Sequence, residues 1–301
     1  MRHALLFFGV PSVIMLIFSL VDIEYDVFNI VTTSLLFLGL IIIGAGYYKR
    51  NNFISFLGWY LFALYWATQP EFLYYKGDGD IVNAVFCIVG VYFLAYISYH
   101  EYLCYKRNEK IKSLRFLAGA TFFSGILYFT FQKTFIGDFL IKTVADQTVF
   151  FLQIMGYNAH AGTIVPAINP YVPIYFNGNQ SVQIILACTG LQSMAVFIGV
   201  FIAINADFKR KIKAFLYTIP TIYILNLVRN VGVVYGMEVL GLSFYTMHNV
   251  IGKFGSLIVL IALAFIVFNL IPELYENIMD LFNLPKRKGP IERMFIKFLR
   301  K

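Results

Sequence analysis

The stretch Phe254-Gly-Ser-Leu-Ile-Val-Leu-Ile-Ala-Leu-Ala-Phe-Ile-Val-Phe268 contains no charge and a single hydroxyl, Ser256. It sits within a longer apolar run, 249–271, and crossing a hydrocarbon core of ~30 Å takes about 20 such residues in a helix. Seven more runs of that kind occur at 4–21, 30–48, 53–69, 82–100, 114–132, 185–205 and 214–235. The composition agrees with them. Of 301 residues, 59% are hydrophobic and 13% charged, with a mean hydropathy of +0.73, whereas soluble domains carry about 25% charged residues. The chain therefore reads as an all-α integral membrane protein of about eight transmembrane helices. That excludes most soluble enzyme folds, nucleic-acid binders and secreted disulfide scaffolds.

The loops sort by charge. Lys49-Arg50, Lys106 to Lys112, Lys209 to Lys213 and the tail from Lys286 are basic, while Asp22 to Asp26, Glu71 and Asp78 to Asp80 are acidic. The two kinds alternate along the chain, so the positive-inside rule places both termini in the cytoplasm. Of the 24 Lys and Arg residues, all but Lys76, Lys133, Lys142, Arg229 and Lys253 fall on that side. The net charge of +8 thus follows from topology, and no nucleic-acid partner is expected. The first apolar run lacks a small-residue cleavage site and reads as a retained span.

Four segments follow. Residues 1–132 hold five transmembrane helices. Residues 133–184 form an extracytoplasmic segment between helices 5 and 6. It opens with an amphipathic helix over Asp138 to Met155, whose apolar positions include Phe139, Leu140, Val144, Val149, Phe150 and Leu152. A proline-rich passage follows, then a β-hairpin in which 171–176 and 180–186 flank Asn177-Gly178-Asn179. Residues 185–271 supply a catalytic three-helix region. Residues 272–301 are a cytoplasmic tail in which Ile291, Met294, Phe295, Phe298 and Leu299 interleave with Arg293, Lys297, Arg300 and Lys301, as in a basic amphipathic helix on anionic headgroups.

Ionisable residues inside spans are functional-site candidates by default. Cys87, mid-span, and Cys104, in a cytoplasmic loop, read as inert. No His or Cys lies at metal-ligand spacing from another, and no metal or cofactor is expected. Cys188, Arg229 and His248 coincide in depth: Cys188 opens the sixth span, Arg229 lies about 22 Å along the seventh at 1.5 Å per residue, and His248 sits at the outer mouth of the eighth. Covalent catalysis at sulfur needs such a trio. A thiol is activated by a cation, a His or a helix N-terminus, and Cys188 in the first turn of its helix would have all three. His248 would carry the proton, and Arg229 would stabilise an oxyanion. Other classes remain open: a multi-span transporter or channel with Arg229 as an outer anion site, a thiol–quinone oxidoreductase, or a structural scaffold. The transporter would need polar residues along a whole pathway, and the oxidoreductase a second outer thiol.

The run Ala187-Cys188-Thr189-Gly190-Leu191-Gln192-Ser193 resembles the nucleophile motif of the exosortase/archaeosortase family. Asn226-Leu227-Val228-Arg229-Asn230 resembles its arginine motif, and His248-Asn249 its third catalytic position. The resemblance implies a sortase-like cysteine protease/transpeptidase of the cell membrane, active on the extracytoplasmic side. It would cleave the C-terminal tripartite sorting signal of secreted or surface-layer proteins and pass the new carboxyl end to a membrane lipid. It also implies Cys188 as nucleophile, Arg229 as the orienting cation and His248 as the acid–base group. Thr189, Gly190, Gln192, Asn230, Asn249 and Lys253 are the accompanying substrate-binding candidates. Some family members resemble this pattern with Arg in the third position; here the basic choices are His248 and Lys253, and only His248 exchanges protons near neutral pH.

Overall fold

The computed structural model describes residues 5–21, 25–76, 81–167, 169–287 and 289–299. The acidic runs at Asp22 to Glu24 and Asp78 to Asp80 lie outside the described residues, as do Arg300 and Lys301 and the side chains of Asp26, Phe295, Phe298 and Leu299. The chain is mostly helical, and it divides into two compact units, Met1–Phe122 with Glu276–Lys301, and Phe123–Tyr275. By compactness most of the tail groups with the N-terminal helices, and 133–184 groups with 185–271.

Among the described residues, four helices are long and apolar enough to cross a membrane: Val27–Lys49, Asn83–Arg107, Lys112–Gln132 and Tyr245–Leu270. Leu5–Leu20 and Leu191–Ala203 are shorter apolar helices. The run at 185–205 is where structure and expectation part. Its first residue ends a β-strand, Leu186–Thr189 form a 3₁₀ turn, and the α-helix covers only Leu191–Ala203. Thirteen residues rise ~20 Å, less than a hydrocarbon core. The break occurs at Gly190, whose φ of +74° is a left-handed conformation that interrupts the helix. Cys188 is therefore not in the first turn of an α-helix.

In the first unit, α1 (Val10–Leu20), α2 (Tyr25–Lys49), α3 (Asn52–Ala67) and α4 (Ile81–Arg107) pack together, and α5 (Lys112–Gln132) begins. The Asn51 side chain caps α3 by accepting from the Phe53 and Ile54 amides at 2.9 and 3.3 Å. Cys104 lies inside α4 and is buried, not in a loop. The Cys87 thiol contacts the Trp66 carbonyl oxygen at 3.3 Å.

The second unit is an α/β layer joined to a helix bundle. Helix α6 (Phe135–Ile154) lies over an antiparallel sheet of β1 (Ala159–Ala161), β2 (Tyr171–Phe176) and β3 (Asn179–Ile185), in the order β1-β2-β3. Asn177 and Gly178, with φ of +50° and +87°, link β2 to β3. The helix presents Ile141, Val144, Ala145, Thr148, Val149 and Leu152 inward at intervals of three and four. Their core partners include Val172, Ile174, Val182, Ile184 and Cys188. Phe139 and Phe150 point outward instead, 70% and 57% exposed, so α6 is apolar on two faces. Then come α7 (Leu191–Ala203) and α8 (Phe208–Glu238), which Asp207 caps. A π-helical stretch Tyr245–Gly252 continues directly into α9 (Lys253–Leu270), and α10 (Pro272–Phe282) follows. The Arg210 guanidinium grips the Glu273 carboxylate through both terminal nitrogens, at 3.0 and 2.6 Å. This holds the start of α8 to the start of α10.

The tail helix α11 (Pro290–Leu299) is anchored by one half-buried carboxylate. Glu292 accepts hydrogen bonds from the Tyr96 and Tyr99 hydroxyls at 2.8 and 3.3 Å, and pairs with His100 Nε2 at 3.0 Å. Burial alone would raise its pKa, but the hydrogen bonds from His100, the backbone and Tyr96 outweigh that and hold it at about 2. A carboxyl lowered from 4.5 contributes stability that is fully present above pH ~4.5 and is lost as pH falls towards 2. The tail is therefore expected to become protease-sensitive across that interval. Glu292→Gln should show the same sensitivity at neutral pH, with cleavage at least about tenfold faster, since a hydrogen bond to a charged group is worth ~1.5–3 kcal/mol. Limited proteolysis of both proteins checks this, and equal cleavage rates at neutral pH would contradict it.

Candidate active site

The site is built at the point where β3 stops. Ile185 ends the strand, the 3₁₀ turn carries Cys188, and Gly190 redirects the chain into α7. Thr189 braces the turn from inside. Its hydroxyl donates to the Leu186 carbonyl at 2.7 Å and accepts from the Leu191 amide at 3.3 Å, and the residue is fully buried. Thr189 thus shapes the loop from within.

Helix α8 grips the same turn. Asn226 and Asn230 lie one helical turn apart, and each Nδ2 donates to the Cys188 carbonyl, at 2.6 and 2.8 Å. A carbonyl oxygen has two lone pairs, and here both are engaged by side chains from one neighbouring helix. Arg229 comes just before Asn230 in the chain and is close enough to act on Cys188 electrostatically. The Asn-x-x-Arg-Asn spacing thus serves two purposes: the asparagines fix the backbone of Cys188, and the arginine is delivered beside it. Asn230 is buried, at 5% exposure, and acts as part of this clamp. Asn226 stands in the quoted motif but was given no role of its own, although its spacing of four from Asn230 places both on one helix face.

The Arg229 Nε is buried and has no hydrogen-bond partner among the described residues. A buried donor without a partner is uncommon in a native structure and calls for an explanation. Gly252 makes room for it: a Cβ there would lie 3.1 Å from Arg229 Nε. A cavity of about 450 Å³ adjoins this group. Its polar lining is Gln192 and Ser193 at the start of α7, Asn226 and Arg229 on α8, and Ser256 on α9. Further along the helices the lining turns apolar, with Ile222, Val259 and Leu260. Ala187 and Gly190 line it on either side of Cys188, which is itself 8% exposed.

His248 is carried by the π-helical stretch and interacts electrostatically with Arg229 and Lys253. Its ring stacks on Phe244, with centroids 4.9 Å apart and planes at 10°. No hydrogen bond joins it to Cys188 among the described residues. The geometry therefore brings Cys188, Asn226, Arg229 and Asn230 together tightly, with His248 nearby but turned to Phe244. Lys253 is exposed, and neither it nor Asn249 lines the cavity.

The clamp makes a measurable prediction. Either single variant, Asn226→Ala or Asn230→Ala, leaves the buried carbonyl with one donor and should cost ~1 kcal/mol. The double variant leaves it with none, and an unsatisfied buried group costs ~1–3 kcal/mol more. Thermal unfolding in detergent should show the double variant falling by more than the sum of the singles. Additive losses would mean that the two bonds act independently.

Comparison with known proteins gives a consistent result. Residues 31–268 match the family described as transmembrane exosortase. The chain is 27% identical over 257 residues to archaeosortase A of Haloferax volcanii, covering 74% of this chain and 81% of that protein. It is 22% identical over 254 residues to archaeosortase A of Natronomonas pharaonis, covering 75% and 78%. No solved structure matches it.

Proposed function

The chain belongs to the transmembrane exosortase family, and on that footing we propose that it is a membrane cysteine transpeptidase acting on C-terminal sorting signals at the extracytoplasmic face. The observation that carries this is the double clamp on the Cys188 carbonyl beside an unpartnered, buried Arg229 Nε. A multi-pass membrane protein has little reason to hold a cysteine backbone this rigidly unless its side chain must be aimed. The reading places both termini in the cytoplasm, in keeping with the alternation of loop charges.

The proposed chemistry is acyl transfer. His248 takes the Cys188 thiol proton as the sulfur attacks the carbonyl carbon of the scissile peptide, and a C–S bond forms while the carbonyl electrons move onto oxygen. The Arg229 guanidinium donates to that oxyanion through the Nε that is otherwise unpartnered. The tetrahedral adduct collapses, the C–N bond breaks, and the leaving amine takes a proton from His248. This leaves a thioester on Cys188. A lipid amine or a water then attacks the thioester, its proton goes to His248, the C–S bond breaks, and His248 returns the proton to the departing sulfur, which restores the thiol. For these transfers His248 must leave its stack on Phe244 when substrate arrives, since catalytic hydrogen bonds often tighten only in the complex.

The anion transporter fits less well. Beyond the polar residues at 192–193 and 226–229 the cavity walls carry one hydroxyl, Ser256, among apolar side chains, and an ion pathway would need more polar groups to continue through the bundle.

The thioester is the testable intermediate. Hydroxylamine added to membranes containing the protein and a cellular protein with a C-terminal apolar span and basic tail should divert it. The cleaved product should then carry a C-terminal hydroxamate, detected by mass spectrometry. A hydroxamate-free product at saturating hydroxylamine would rule out the thioester and with it the sortase-like mechanism.

A further inference from the structure

Strand β3 has a free edge that ends at the nucleophile. The order of the sheet is β1-β2-β3, and among the described residues no strand pairs with the far side of β3. The direction of its backbone groups follows from the register. Pro173 lies opposite Gln183, and Tyr171 opposite Ile185. Pro173 has no amide hydrogen, and its carbonyl accepts from Gly162 at 2.8 Å on the β1 side. Tyr171 exchanges hydrogen bonds with Val165 on that same side, at 2.8 and 3.3 Å. Both residues thus turn their backbone groups away from β3. In an antiparallel pair, residues opposite one another share this character. The N–H and C=O of Gln183 and of Ile185 therefore point outward, away from β2.

Ile185 is the last residue of the strand, and Cys188 follows three residues later in the 3₁₀ turn. Gln183 is exposed, one alternate position earlier, and Ala187, exposed on the next, already lines the cavity. The edge groups, the thiol and the cavity thus follow one another in chain order.

We propose that the free edge of β3 docks the acyl side of the substrate as a fourth strand, paired through the backbone of Gln183, so that the scissile carbonyl arrives at Cys188. The occupant is an extended peptide. Main-chain pairing supplies the positioning, and Gln183 acts through its backbone, not its side chain. This inference rests on the assignment of Cys188 as the nucleophile.

The test uses a peptide reagent, acetyl-Ala-Ala-Ala chloromethyl ketone, and compares its rate of Cys188 alkylation with that of chloroacetone on the full-length protein in membranes. Two backbone hydrogen bonds should accelerate the peptide reagent about tenfold over chloroacetone. Gln183→Pro removes the outward N–H yet should leave the β2–β3 ladder intact, because an edge position facing away from its partner tolerates proline. It is expected to bring the peptide reagent to within twofold of chloroacetone, whereas Gln183→Ala, with its backbone unchanged, keeps the acceleration. The chloroacetone rate reports whether the variant has folded. Should it change in Gln183→Pro, the decision passes to two N-methylated isomers of the peptide reagent on the wild-type protein. Strand pairing uses alternate residues, so methylation of one of two adjacent amides should abolish the acceleration and methylation of the other should not. No acceleration by the parent peptide, a wild-type profile in folded Gln183→Pro, or equal behaviour of the two isomers would overturn the docking edge. If Cys188→Ala still processes substrate in cells, the nucleophile assignment fails instead, and the two failures remain separate.

Discussion

Cys188→Ala is expected to stop processing altogether, with full-length substrate accumulating in the membrane. Covalent nucleophiles are the costliest residues to lose, and in serine hydrolases removal takes ~10⁶ from kcat. The fold should survive. Cys188 contributes to the second unit's core through a small side chain, while the clamp acts on its backbone carbonyl, which alanine retains. The variant should therefore be inserted at wild-type levels, and thermal unfolding should move little. Cys87→Ala and Cys104→Ala should process normally, since both thiols are buried in the first unit. Immunoblots of substrate length across the three variants decide the matter, and cleavage by Cys188→Ala would end the assignment.

The site was legible in the sequence to the extent that rare groups were conspicuous against an apolar background. A cysteine, an arginine and a histidine in spans stand out because burying them is costly. What the sequence concealed was the backbone around them. The run from 185 to 205 is mostly apolar outside its short Thr189–Ser193 motif, and a buried strand end and a buried helix cannot be separated by periodicity over so short a stretch. Only Gly190, at a φ of +74°, marks where the strand-and-turn becomes helix. A Cβ at that position would also press on Asn226 at 3.2 Å, so a single glycine fixes both the turn and its clamp. The two-faced apolarity of α6 was hidden for a related reason. Near a membrane an outward face is as apolar as an inward one, so Phe139 and Phe150 were grouped with Val144 and Val149 although they point to opposite sides. His248 shows the converse limit. Its depth could be counted along the chain, but its stack on Phe244 depends on a π-helical turn that no local signal announces.

Arg229→Lys should reduce turnover by ~10²–10³, the usual loss when one preorganised oxyanion donor is removed. Lysine keeps the charge but not the geometry. Its ammonium is a point charge at the end of a flexible stem, whereas guanidinium is a rigid planar fork with a donor at Nε. That Nε is the buried atom without a partner, and a lysine has a methylene at the corresponding place. The stability measurement then separates catalysis from structure. An unsatisfied buried donor costs ~1–3 kcal/mol, so a residue present only to hold the fold would be satisfied in the resting state, and its loss would destabilise. Arg229 is unsatisfied, as expected of a donor reserved for an oxygen that exists only during reaction. Arg229→Lys is accordingly expected to unfold at the same temperature as the wild type or higher while losing activity. Gly252→Ala, whose Cβ would press on Arg229 Nε from 3.1 Å, should lower turnover by a smaller factor, because it shifts the donor without removing it. Rates for the lysine variant within twofold of wild type would show instead that Arg229 supplies only charge at the membrane boundary. The unpartnered Nε would then have no catalytic purpose.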